Sequence, residues 1–402
     1  MNARSIARLC LICLLFGCRA DMPQLQTGLD VLQSQDFASL RGQRVGVVTN
    51  PTGVDRQFVS LSRLVQSAPE VSLVAVFGPE HGLLGSSQAG VKVDDAQDAQ
   101  IPVYSLYGET RRPTPAMLRG IDVLLFDIQD IGVRTYTYLA TLLEVLRSAA
   151  EYDVEVWVLD RPVPLGGRVV EGPVLEVEFQ SFVGPHTIPL RHGLTAGEFA
   201  TMVNEEVQID AKLKVIPMRN YSRSLLQQRI DLLWIAPSPN IPTADTALVY
   251  AGSVLIEGTN LSEGRGTTRP FHLIGAPWLN GELVTQRLAA FSLPGCRFRA
   301  AQFKPWMSKY KGEECGAVEI YVEDRTAFRP ITAAVALLTV VRDLYPNQFQ
   351  IDAQRFDRLA GNSRLRRDIE AGLTYDRIVA GWSAALEKYE QRRAKFLLYP
   401  PR

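Results

Sequence analysis

The sequence predicts an α/β fold: a Rossmann-like, doubly wound, mostly parallel sheet followed by a second, smaller α+β domain. Three observations predict it. Between residues 43 and 162 short β-branched runs alternate with helix-like stretches. The strand-like runs are apolar nearly throughout, as strands covered by helices on both faces are. Beyond the proline-rich stretch Ala236–Pro242 the texture changes to glycine-rich loops and longer strands, which places the first domain at residues 28–246 and the second at 247–402.

In chain order, Arg44–Asn50, Leu73–Gly78, Val103–Tyr107, Val123–Ile128 and Glu155–Asp160 are expected strands, with Leu61–Ser67, Thr114–Leu118 and Tyr136–Tyr152 as the helices between them. After the Pro/Gly connection Pro162–Gly167, Thr195 opens a helix with Glu198 three residues on, the pattern of a capping box. Leu213–Met218 is expected to extend the first sheet. In the second domain Arg297–Phe303 and Ala317–Val322 are strands, and Ile331–Leu344 and Tyr375–Lys395 are helices.

The chain has 402 residues, 46% hydrophobic and 21% charged, which excludes a mostly disordered protein. Its 43 Lys and Arg balance 43 Asp and Glu, and no basic block stands out, so a nucleic-acid partner is not expected. Residues 1–17 combine Arg4 and Arg8 with an apolar run from Leu9 to Phe16, the form of an export signal and too short to span a bilayer. The run ends Leu15-Phe16-Gly17-Cys18, which resembles a bacterial lipobox. Cys18 is therefore the expected lipid-bearing residue of an exported, membrane-anchored protein with a net charge of −2 after cleavage.

Export makes oxidation of the remaining cysteines relevant, and Cys296 and Cys315 flank adjacent strands. A bridge between them and two separate thiols are both open readings. Four histidines without an HExxH motif give no basis for a metal site. The turn after the first strand, Asn50-Pro51-Thr52-Gly53, is neither GxGxxG nor a P-loop, so no cofactor is expected.

In open parallel sheets ligands sit beyond the carboxyl ends of the strands. Here Asn50 closes the first strand, Glu80-His81 the second, Asp127 with Gln129 the fourth, and Asp160-Arg161 the fifth. Turn and cap chemistry explains any one Asp or Asn at a strand end, but it explains poorly a glutamate set between Pro79 and His81. The run Ile128–Tyr138 adds Arg134 and Tyr136 near the same rim. An arginine there offers a bidentate grip on a carboxylate or phosphate. Three later polar, glycine-framed segments hold Arg191, Asn240, and Glu263 with Arg265.

Phe77–Gly82, Tyr104–Pro113, Phe126–Tyr138, Leu159–Gly167, Ser238–Thr243 and Glu257–Pro270 together resemble the signature segments of the exo-β-N-acetylmuramidase family, glycoside hydrolase family 171, formerly a domain of unknown function. The likeness runs in order from about Gly28 to Tyr399. It implies a cleft between two domains that releases N-acetylmuramic acid from the non-reducing ends of peptidoglycan fragments. On this resemblance Glu80 is the expected catalytic acid.

Glycoside cleavage needs a proton donor and a second group: a carboxylate, or a substrate acetamido group in its place. Asp127 is the first candidate, with Glu263 and Glu171 behind it. His81 is expected to join Glu80 and Asp127 in the catalytic set. The lactyl carboxylate of muramic acid calls for a cation from Arg134, Arg191 or Arg265. Asn50, His81, Gln129, Tyr136 and Asn240 are expected to contact the sugar. The competing reading is a lipid-anchored binding protein without catalysis. A serine esterase lacks support because no G-x-S-x-G elbow is present.

Overall fold

The computed structural model describes residues 24–95 and 101–401, so the export signal and Cys18 lie outside the described residues. Eleven strands are described, in chain order β1 Arg44–Thr49, β2 Ser72–Gly78, β3 Val103–Ser105, β4 Val123–Asp127, β5 Glu155–Leu159, β6 Glu171–Val174, β7 Pro189–Arg191, β8 Leu213–Ile216, β9 Leu273–Ala276, β10 Cys296–Phe303 and β11 Cys315–Val322. Six of them form one parallel sheet in the order β3-β2-β1-β4-β5-β8. The segment expected to extend the first sheet does so, as its edge strand β8.

Strand side chains alternate between faces, and here both sets are apolar. Val45, Val47, Val123, Leu125, Trp157 and Leu159 pack in one core with the helices Gly28–Gln33 and Leu61–Ser67. Val48, Leu124, Phe126, Val156 and Val158 pack in the other with the helices Tyr138–Glu151 and Ala196–Glu206. This double coverage is why these strands carry no polar alternation. The capping box at Thr195 and Glu198 is formed in both directions.

The second lobe holds the antiparallel sheet β10-β11-β9 and the helix Pro330–Leu344, which packs on Ala244–Ser253. One expectation is corrected here and one open reading is decided. The helix expected over Tyr375–Lys395 is two, Tyr375–Ala380 and Ser383–Arg393, interrupted where Gly381 closes the first with bonds to the carbonyls of Arg377 and Ile378. The disulfide does not form: Cys296 pairs with Val322 and Cys315 with Phe303, at opposite ends of an eight-residue ladder. At ~3.4 Å per residue that separates them by about 24 Å along the strands, far beyond the ~7 Å limit between bridged Cα atoms.

The chain's end returns to the first lobe. Tyr399 Oη donates to Asp160 at 2.5 Å, and the Leu398 amide donates to Glu198 at 2.9 Å. Both carboxylates are fully buried.

Candidate active site

Beyond the end of β2 the chain turns sharply at His81 and Gly82, with φ of 72° and 77°. Positive φ is uncommon for a residue with a side chain. The turn sets Glu80 and His81 on the wall of a cavity of about 440 Å³ between the two lobes. Glu80 is 7% exposed. Its carboxylate accepts from the Gly90 amide at 2.8 Å and from Thr137 Oγ1 at 2.6 Å, at the N-cap of the helix Tyr138–Glu151. Both oxygens are thereby aimed. Burial pushes the Tyr107 phenol up to about 12, and the neighbouring Glu80 charge adds to the rise.

His81 Nδ1 lies 2.7 Å from the Ser87 carbonyl. A carbonyl only accepts, so Nδ1 carries the proton and Nε2 of the neutral ring is left as an acceptor. Burial holds the imidazole below its ordinary value, and Arg265 adds to the depression against Ser87 and Glu80.

The second lobe contributes a compensated charge cluster. Arg265 sits 2.9 Å from Glu257 and 3.3 Å from Glu263, Lys309 sits 3.2 Å from Glu263, and Arg355 sits 3.1 Å from Glu257. Burial pushes Glu257 upward, but Arg265 and Arg355 hold it below the usual carboxylate range. Lys309 donates to the carbonyls of Ile256 and Leu261 and so props the loop rather than facing the cavity freely. Of the three carboxylates on the cavity wall, Glu80 has no cation within 4.0 Å among the described residues. Asn240 Nδ2 reaches Gln88 at 3.1 Å across the wall, and Tyr136 stacks edge-on against Tyr138 and Tyr250.

Residues 45–245 match the family description "Exo-beta-N-acetylmuramidase NamZ, N-terminal", and residues 248–399 match its C-terminal counterpart. The chain belongs to the exo-β-N-acetylmuramidase NamZ family. Among NamZ relatives, the peptidoglycan β-N-acetylmuramidase NamZ of Bacillus subtilis is 43% identical over 383 residues, covering 94% of this chain and 92% of that protein. Two crystal structures of DUF1343 family proteins from Bacteroides fragilis share the fold. One has a TM-score of 0.88 at 36% identity, covering 94% of this chain and 99% of that one. The other has a TM-score of 0.76 at 28% identity, covering 94% and 100%.

Within this NamZ fold, six of the residues singled out from sequence meet at one cavity: Glu80, His81, Tyr136, Asn240, Glu263 and Arg265. The others do not. Asp127 is fully buried and bound in a fork by Arg161, with Nη2 at 2.8 Å. Gln129 donates to the carbonyls of Asp130 and Pro162 and lines a separate cavity at the β1/β4 switch point. Asn50 accepts from Thr52 and shapes the turn after β1.

Arg134 is a structural clamp: Nη1 donates to the carbonyls of Pro173 and Ile188, and Nη2 to those of Leu359 and Ala360. Glu171 accepts from the Thr332 amide and hydroxyl at 2.7 and 2.9 Å. Arg191 lines a different cavity altogether.

Tyr107, Thr137, Glu257 and Arg355 were not singled out by sequence. The first three lie inside segments that carry the family resemblance, so a signal existed for them. Arg355 stands in the helix Ala353–Ala360, among residues that look like an ordinary solvated face, and only the fold brings it in.

Proposed function

We propose that this glycoside hydrolase cleaves a terminal N-acetylmuramic acid from the non-reducing end of peptidoglycan fragments, with Glu80 as the proton donor. The observation that carries the assignment is Glu80 itself: a buried carboxylate on the cavity wall, oriented by two hydrogen bonds and left without a cation, beside a Tyr107 phenol. A proton donor to the leaving oxygen needs that placement. A cavity of this volume suits about one substituted amino sugar rather than a run of them, in keeping with exo action.

Asp127 is bound to Arg161, and Glu257 and Glu263 are neutralised by neighbouring cations. With these three engaged, the acetamido oxygen of the substrate serves as the displacing group in this reading. His81 Nε2 accepts from a sugar hydroxyl, Asn240 contributes an amide, and Arg265 with the half-exposed Arg355 supplies the positive field for the lactyl carboxylate. Incubating the purified protein with a chromogenic N-acetyl-β-muramide and with a muramic-acid-terminated disaccharide tests the reading. Release of free N-acetylmuramic acid from both is expected. Saturable binding without release would instead support a binding protein.

The export reading rests on the basic-then-apolar start and the residues before Cys18. On that basis the mature protein begins at a lipid-bearing Cys18 and works outside the cytoplasm on a membrane tether. Loss of membrane association and of metabolic palmitate labelling in Cys18→Ala is the expected result.

A further inference from the structure

A further cavity, of about 310 Å³, lies where the loops of residues 165–169 and 223–226 in the first lobe meet the segment 325–329 that leads into the helix Pro330–Leu344. Five arginines line it, Arg168, Arg191, Arg223, Arg325 and Arg329, and no carboxylate does. Two of the five are engaged elsewhere. Arg223 pairs with Glu198, and Arg325 makes a fork on Asp245 with bonds of 2.7 and 2.8 Å. For Arg168, Arg191 and Arg329 no carboxylate lies within 4.0 Å among the described residues.

Arg191 is the most exacting of these. It is 2% exposed, one Nη donates to the Leu165 carbonyl, and its Nε and other Nη have no hydrogen-bond partner. Burial holds this guanidinium down to about 10, while the field of Glu171, beyond ion-pair distance, opposes the fall. Glu171 is itself turned toward Thr332. A buried guanidinium with unmade bonds is destabilising by several kcal/mol in general. Arg329 adds to the depression of Arg191, a cost that an anion entering the cavity would relieve. Arg329 donates to the carbonyls of Thr326 and Ala327 through one Nη only, and Arg168 is exposed, so both retain donors for a ligand.

We propose that this interlobe cavity is a second site, separate from the catalytic one, that binds a phosphate-class dianion. Guanidinium forks match the paired oxygens of a phosphoryl group, and three arginines without acidic partners supply more charge than a single carboxylate neutralises. The cavity has room for inorganic phosphate or for the phosphoryl end of a small ester such as a sugar phosphate. Because the site joins segments of both lobes, its occupant would stabilise their junction by mass action.

The test is calorimetry and thermal melting of the whole protein with inorganic phosphate and with a hexosamine 6-phosphate, at constant ionic strength set by chloride. Saturable binding in the millimolar range or tighter, with a rise in melting temperature, is expected. Arg168→Ala combined with Arg329→Ala should weaken it at least tenfold and leave muramidase turnover unchanged. Arg191→Lys, which keeps the buried charge, should weaken it as well. Binding of the ester alone identifies an organic phosphate as the occupant; binding of both identifies the phosphoryl group itself. The proposal is overturned if neither ligand binds at 10 mM (about a hundredfold above a 0.1 mM site), or if the double variant binds as well as the parent.

Discussion

Replacing Glu80 by glutamine separates chemistry from structure at this site. The carboxylate makes two bonds, from the Gly90 amide and from Thr137 Oγ1. A glutamine of the same shape keeps both: its oxygen accepts from Gly90, and its NH2 donates to the threonine hydroxyl, which can rotate to accept. One acceptor oxygen becomes an NH2, a loss of about 1 kcal/mol or less, so the melting temperature should fall by no more than ~2 °C. Proton donation is lost entirely. General acid catalysis contributes about 10²- to 10⁴-fold, or roughly 3–5 kcal/mol of barrier. Release of N-acetylmuramic acid from a muramic-acid-terminated disaccharide, whose sugar leaving group needs the proton, should therefore drop by that factor in kcat, while calorimetric affinity for N-acetylmuramic acid stays within about threefold. A Glu80→Gln protein that melts normally and keeps more than about a tenth of the parent's kcat would refute the assignment.

Asp127→Asn removes half of a buried ion pair with Arg161 and should destabilise the fold by about 3 kcal/mol in urea titrations; kcat of the folded fraction should hold within about twofold, and a loss near that of Glu80→Gln would return Asp127 to the catalytic centre. The His81 imidazole is held below its usual value in the folded protein, so Nε2 stays an acceptor at neutral pH and becomes a donor only as pH falls through that lowered value. The acid limb of kcat/KM attributable to His81 should thus lie below about pH 6.5, which a pH profile of the parent against His81→Gln will read. Arg265→Lys keeps the charge but not the fork onto Glu257 and Glu263. It should cut kcat/KM for a muramide about tenfold more than any residual rate on a glucosaminide, and an equal fall on both would separate Arg265 from lactyl recognition.

The sheet was legible because burial on both faces writes itself into continuous apolar strands, and because Thr195 and Glu198 form a local capping motif that needs no tertiary contact. The candidate catalytic loop is legible for the opposite reason: a glutamate between proline and histidine has no structural role that a turn would require. Arg134 and Asp127 show what sequence leaves out. Both leave the carboxyl edge of the sheet, where ligands gather, yet the β6–β7 hairpin and the backbone at Leu359 and Ala360 close over Arg134, and Arg161 binds Asp127. Position along a strand gives the rim, but contacts made by residues far away in sequence decide which side of the rim is open. The same distance hid Arg355, whereas Cys296 and Cys315 are parted because each opens its strand and the two strands run antiparallel.

The return of residues 398 and 399 to the first lobe makes the two lobes depend on each other in folding. Asp160 and Glu198 lie in the first lobe, but a hydroxyl and an amide that bond them come from the segment after the helix Ser383–Arg393, on the far side of the second lobe's sequence. The interior of the first lobe is therefore completed only once that distant segment has docked on it. Removing residues 398–402 keeps the whole parallel sheet and every residue of the candidate catalytic wall, yet leaves two buried carboxylates each short of one hydrogen bond.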